Sequence, residues 1–179
     1  KIEDYSSLRK LLFVTSWLLR FIKNLKSKLL HKKIETKEEI DNLELEYAKQ
    51  IWLKDNQFVC IAEDRFNELN KSLHLFKDEN GFSRVGGRLN NAEDLTYETR
   101  NPLLLSRNHH LTYLIVLECH KRVKHNGQRQ TLSEVRTEYW IIRAKSYIKN
   151  VLNKCLLCRR YNSRAYTYPS IASLPKQRV

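Results

Sequence analysis

The stretch "CHKRVKHNGQ", residues 119–128, sets two histidines five positions apart beside an Asn-Gly pair. Five residues turn an ideal helix through about 500°, so His120 and His125 cannot share one helical face. If both bind one ion, the helix carrying His120 must end between them and leave His125 on the turn. Asn126-Gly127 is a helix stop at that place. The other half of such a ligand set is Cys155 and Cys158, a Cys-x-x-Cys pair that a tight turn can aim at one point. The 29 residues between His125 and Cys155 suffice for a helix, a connection and a returning helix.

Two imidazoles and two thiolates suit tetrahedral zinc with every coordination position filled. The thiolates neutralise the ion, so the site tolerates partial burial. A filled shell leaves no place for a reactive water, and the expected Zn2+ is structural. Cys119 is expected to pack into the first helix rather than compete. His109 and His110 are expected to cap that helix or face solvent, and His31 and His74 have no Cys near them. A redox pair is disfavoured because Cys155 is expected at a helix end, without the N-terminal dipole that stabilises a thiolate. Few large apolar residues are expected in the helical unit itself, so metal binding and folding should be coupled.

Working outward, "NPLLLSRNHHLTYLIV" (101–116) reads as the approach to a helix over about 110–120, capped by Ser106 or Asn108. Leu132, Val135 and Tyr139 mark a second helix, "YWII" (139–142) an apolar connection, and Ile148, Val151 and Leu152 a third. Upstream, "LHLFKDENGFSRVGGRL" (73–89) switches to two short runs around Asn80-Gly81, a hairpin signal. Gly86-Gly87 suggests a bulge or the end of the second strand, and Arg84 and Arg88 are expected to be solvated. Leu8, Leu11, Leu12, Thr15, Leu18, Leu19, Ile22 and Leu25 form the apolar stripe of an opening helix, with Lys and Arg opposite. Thr36 and Glu39 read as the capping box of a second helix ending near 54–56, with a short helix over 59–70. The tail from 159 lacks periodicity and reads as an extended linker.

The fold class expected is mainly α: N-terminal helices and a β-hairpin, then a zinc-stabilised three-helix bundle and an extended basic tail. The units are 1–72, a helical connecting region; 73–100, a hairpin extension; 101–162, the zinc-binding domain; and 163–179, a linker.

Bulk properties narrow the function. With 41% hydrophobic and 10% aromatic residues, the 179-residue chain is too apolar to be disordered. The richest run, "LLFVTSWLLRFI" (11–22), is too short to span a bilayer, carries Arg20 and has no signal-peptide cleavage pattern. No partner membrane is expected. The absence of methionine suggests a chain cut from a longer polypeptide, and four cysteines suggest a reducing, intracellular setting. Residues 101–179 hold 15 Lys and Arg against three acids, whereas 1–100 hold 18 against 17. The basic half points to a polyanion, most simply nucleic acid. Candidate DNA contacts are Arg129 and Arg136 on one helix face, Arg143, Lys145 and Lys149 around the third helix, and Arg159, Arg160 and Arg164 beyond it. Tyr161, Tyr166 and Tyr168 interleave the last group and suit stacking on unpaired bases.

The order His-His-Cys-Cys with this spacing resembles the zinc-binding N-terminal domain of retroviral and retrotransposon integrases. "HKRVKHNGQRQTLSEVRTEYWI" (120–141) is similar beyond the ligands. "GFSRVGGRL", "LPKQRV" and "SSLRKLLFVTSWLLRFI" resemble the polyproteins of BEL/Pao LTR retrotransposons. The resemblance implies that His120, His125, Cys155 and Cys158 hold zinc. It further implies a domain that helps integrase multimerise and grip the element's DNA ends, in a cytoplasmic particle and the nucleus. Catalysis in that family belongs to a following Asp-Asp-Glu core. No aspartate follows Asp94 here, so a non-catalytic fragment is expected. The alternatives are a protein-interaction adaptor within the polyprotein and a host-retained DNA-binding fragment.

Overall fold

The computed structural model describes every residue of the chain except 32–38, 63–65, 88, 90–91, 93, 165, 168–174 and 179. Thr36, Arg88 and Tyr168 therefore lie outside the described residues. Helix α1 (Leu8–Leu29) and helix α2 (Asn42–Ile61) pack antiparallel, with Glu44 meeting Arg20 and the Trp52 indole donating to Thr15 Oγ1 at 2.9 Å. Only the first half of the α1 stripe is covered. Leu11 is 1% exposed, but Leu18, Ile22 and Leu25 stand 56%, 38% and 49% exposed, against the inward stripe expected. Arg20 departs the other way, because the Glu44 carboxylate and the Glu39 carbonyl draw it inside.

Helix α2 begins at Asn42, six residues after Thr36. Glu44 accepts from the Asp41 N–H at 2.9 Å, so the reciprocal cap forms one motif later than expected. The helix also runs through 54–56 instead of ending there, because Asn56 and Gln57 have partners across the core. Asn56 accepts from Ser106 N–H and donates to Thr112 Oγ1, both at 2.8 Å. Gln57 donates to the Ser83 and Leu104 carbonyls and accepts from Ser83 N–H. Two buried amides thus tie α2 to Ser83, Leu104, Ser106 and Thr112. A short helix, α3 (Phe66–Leu73), leads into the sheet.

The hairpin forms as expected. Strands β1 (Leu75–Lys77) and β2 (Ser83–Val85) pair antiparallel, Phe76 opposite Arg84. Gly81 takes φ +79° in the turn, where only glycine is free of steric cost. Asp78 accepts from the Asn80 and Phe82 N–H groups and from Arg84 Nε at 2.7 Å. Arg84 also donates to the Asn101 carbonyl and lies over the Tyr97 ring, so it is not a solvated arginine.

Two further strands were not expected. After the one-turn helix α4 (Tyr97–Arg100), strand β3 (Leu103–Leu105) pairs with β2. It also pairs, in parallel, with β4 (Tyr139–Ile141), with Leu104 opposite Trp140. The four-stranded sheet β1-β2-β3-β4 therefore crosses position 100. Leu105, Tyr139 and Ile141 join the larger core, while Val85 and Leu104 join a smaller one with Cys60. Three-residue strands buried on both faces show no alternation, so "LLL" and "YWI" read as plain apolar runs.

Between and after β3 and β4 come α5 (His110–Arg122), α6 (Gly127–Arg136) and α7 (Ala144–Leu152), the expected three-helix bundle. Tyr139 belongs to β4 and not to the second helix. The bundle is richer in core than expected: Leu111, Leu114, Val116, Val135 and Ile148 are each no more than 1% exposed. The architecture is mainly α with a hairpin, as the sequence pattern indicated. No helix among the described residues is long and apolar enough to cross a membrane.

Candidate metal centre

The end of α5 resolves the five-residue spacing. His125 N–H donates to the His120 carbonyl at 3.0 Å, and Lys124 N–H to the Lys121 carbonyl at 2.9 Å. This pair of bonds is the Schellman closure of a helix, with Val123 as C-cap. The two histidines are its first and last residues, so one backbone hydrogen bond joins both ligand positions. The stop itself lies at Lys124 and His125, which take φ +53° and +60°. Asn126-Gly127 instead opens α6, with Asn126 as its N-cap. That corrects the expected stop by two residues.

At the other side, α7 ends in a turn in which Cys155 N–H donates to the Leu152 carbonyl. Cys155 is then the N-cap of a short helix, α8 (Leu156–Tyr161), which carries Cys158 in its first turn. The expectation that Cys155 only ends a helix was incomplete. The presence of two histidines, not a missing dipole, argues against a redox pair.

The ligand atoms converge. His120 Nε2 lies 2.9 Å from His125 Nδ1 and 3.1 Å from Cys158 Sγ, and Cys155 Sγ lies 3.4 Å from His125 Nδ1. All four fall within 4.8 Å of one another. A zinc tetrahedron with ordinary Zn–N and Zn–S bonds has edges of about 3.3–3.8 Å, a range that these separations bracket, so the donor set suits the ion in chemistry and needs only side-chain adjustments of an ångström or less to surround it. Burial, and secondarily the neighbouring His125, lowers the His120 pKa from its ordinary value, the direction that favours the neutral ring coordination needs. Burial and then the Cys155 thiol raise the Cys158 pKa, a penalty that a 2+ ion reverses. Cys119 is buried away from this group, its pKa pushed up to about 11, so it stays a thiol. His109 caps α5 by accepting from Leu111 N–H and meets Asp55 at 3.0 Å, while His110 contacts the Tyr5 carbonyl. Ser106 and Asn108 are not the cap.

One supporting residue was missed. Thr131, fully buried, donates to the Gly127 carbonyl at 2.8 Å and faces His120 Nδ1 at 3.1 Å. Its signals in the sequence are a hydroxyl four residues after the start of a helix, which many surface threonines share, and its place in the 120–141 stretch that resembles integrases; neither states its role beside His120.

All eight basic candidates are exposed. Lys149, Arg159 and Arg160 border a surface cleft of about 900 Å³ that reaches Cys158. Arg143, Lys145 and Lys149 border a second of about 440 Å³. Gln128 and Lys149 line both, so the two clefts adjoin as one basic groove, and no acidic residue lines either among the described residues. Glu134 and Glu138 are turned to Arg122 instead. Arg136 lies elsewhere, over the Trp140 ring at 5.6 Å, and Arg129 and Arg164 line neither cleft.

No curated protein and no solved structure matches the chain. The segment that builds this centre, residues 107–164, matches the family model of the integrase zinc binding domain, the zinc-holding and non-catalytic part of integrase.

Proposed function

We propose that the chain is the zinc-folded, DNA-end-binding and assembly part of a BEL/Pao-type retrotransposon integrase, without its catalytic core. The observation that carries this reading is the convergence of four ligand atoms inside the segment that matches the integrase zinc binding domain. His120, His125, Cys155 and Cys158 hold a structural Zn2+. Four protein donors fill its shell, so the ion orders the chain and activates no water. Residues 101–162 act as the zinc domain, 1–72 as the connecting region, 73–100 as the hairpin extension and 163–179 as a linker. Hydrogen bonds from Gln57 to Ser83 and Leu104 support the first three working together.

Retroelement DNA ends lie along the groove bordered by Arg143, Lys145, Lys149, Arg159 and Arg160, with Arg129, Arg136 and Arg164 outside it. Tyr161 and Tyr166, 86% and 82% exposed, suit stacking on frayed bases. The setting is a cytoplasmic particle and then the nucleus. The test uses the full chain: metal content by mass spectrometry, then retention of duplex DNA at rising salt. Stoichiometric zinc and steeply salt-weakened binding are expected. A chain purified without zinc whose segments 123–127 and 153–161 are fully ordered would remove the zinc role, and a flat salt response the DNA role.

A second reading, a protein-interaction adaptor, is favoured by the uncovered face of α1. Trp17, Leu18, Phe21, Leu25 and Leu29 are 48%, 56%, 65%, 49% and 74% exposed along it. Monomeric proteins seldom leave such a patch unoccupied. Another integrase protomer or polyprotein segment is the expected occupant. Cross-linking into multimers, without retention on DNA, would favour this reading over the first.

A further inference from the structure

Helix α1 turns an apolar strip outward. Val14, Leu18, Phe21 and Leu25, at three-four spacing, lie within about 60° of one another around the helix axis, and Trp17 and Ile22 widen the strip to about 140°. Ser16 and Arg20, which meet Glu44 of α2, lie on the other side. All six strip residues are exposed, and at ~150–250 Å² for a large side chain they leave about 600 Å² uncovered. That is the upper end for the largest apolar patch of a monomer, and most of the ~800 Å² that one partner contributes to a standard interface.

Charge decides what covers the strip. Helix α1 contains no Asp or Glu. Lys10 and Lys28 stand at the two ends of the strip, about 27 Å apart along the helix, and Lys26 stands one turn from Ile22. All three are exposed, and among the described residues none of them makes an ion pair. We propose that this face docks an amphipathic helix with Glu or Asp along its flanks, supplied by a polypeptide other than a second copy of this chain. The proposal rests on the adaptor reading above and names the chemistry of its occupant. A two-fold pair of α1 helices sets lysine against lysine: Lys10 meets Lys10 when they run parallel, and Lys28 of the other copy when they run antiparallel. An anionic bilayer meets the whole unit rather than one helix. Residues 1–72 hold 14 Lys and Arg against 12 acids, too even a balance to seat the chain on such a plane. The Trp17 ring also lies 4.9 Å under the Arg20 guanidinium, held against the helix instead of free to enter lipid. A helix with acidic flanks satisfies both the strip and the lysines around it.

The experiment titrates the zinc-loaded full chain into two labelled helical peptides that share one leucine stripe and differ only in their flanks, Glu in one and Lys in the other. Fluorescence anisotropy should show the Glu peptide binding at least about tenfold tighter. Leu18→Ser with Phe21→Ser removes exposed side chains and no charge, and should weaken the Glu peptide about thirtyfold. Lys10→Glu with Lys28→Glu should reverse the order of the two peptides. Circular dichroism and zinc content certify that each variant is folded. Equal affinity for both peptides overturns the proposal, and so does binding that survives the Leu18 and Phe21 substitutions. Sedimentation of the chain alone separates the remaining outcomes. Self-association that those substitutions abolish, with no Glu peptide bound, overturns the acidic helix and leaves the adaptor reading standing. A monomer that binds neither peptide overturns both. Retention on phosphatidylserine vesicles through Leu18 and Phe21, without binding of the Glu peptide, also overturns both.

Discussion

His120 Nδ1 faces Thr131 Oγ1 at 3.1 Å, and this pair decides which nitrogen of His120 is free for the ion. The Thr131 hydroxyl donates its proton to the Gly127 carbonyl, so toward the imidazole it accepts. His120 therefore carries its proton on Nδ1, and Nε2, among the sulfurs, holds the lone pair. Thr131→Val keeps the shape and removes the acceptor. Zinc affinity should drop about 10–100-fold in competition with a chromophoric chelator. An unchanged affinity would mean that packing alone orients the ring.

Lys124 sits at φ +53°, a left-handed conformation that costs a side chain about 1 kcal/mol and glycine almost nothing. Lys124→Gly should raise stability by about that amount in urea unfolding of the zinc-loaded chain. Lys124→Ala should not. A loss on Lys124→Gly would show that the lysine side chain does more than tolerate its position.

Removing zinc should not unfold the whole chain, because Leu111, Leu114, Val135 and Ile148 share a core with Leu11, Leu53 and Leu105. Hydrogen exchange after chelation should lose protection at 123–127 and 153–161 first and keep it in the core of α5. Cys158→Ser should lose the metal, and Cys119→Ser should retain it. Full protection at both segments without metal would contradict a structural ion.

Asp78 links the hairpin to pH. Burial alone would raise its pKa, but the Arg84 hydrogen bond and charge and the Phe82 and Asn80 N–H groups outweigh it, leaving it below 3.8. A depressed carboxyl stabilises the fold above the unfolded pKa, and that contribution is lost as pH falls through the folded value. The stability gap between wild type and Asp78→Asn, about 1–3 kcal/mol at neutral pH, should shrink only below about pH 3.8. A gap that closes at higher pH would assign the effect to another group.

For the groove, the slope of log affinity against log salt on blunt duplex should fall by about one for each of Lys149, Arg159 and Arg160 replaced by Gln. Replacing Lys10 on the distant α1 should leave the slope unchanged. Equal effects at both places would point to unspecific charge attraction.

Histidine and cysteine types, their order and their spacing were legible directly, because tetrahedral zinc restricts both the donors and the loop that must separate them. The hairpin was legible for a similar reason: Asn80-Gly81 states a local backbone preference. Strands β3 and β4 were not, since three apolar residues encode burial without saying what they pair with. Nor was the start of α2, where Thr36–Glu39 and Asp41–Glu44 offer rival caps; the structure forms the second, and Glu44 there also meets Arg20.

By itself, then, the chain's order of residues determined a zinc chemistry and a basic C-terminal half, both consequences of side-chain type and local spacing. Tertiary structure alone decided that Thr131 sets the His120 tautomer and that Gln57 bridges helix and sheet. It alone gathered five of the eight basic candidates along one groove and set Arg136 on Trp140 instead. These depend on which surfaces meet across distant segments, and contact at long range leaves no periodic trace in the sequence.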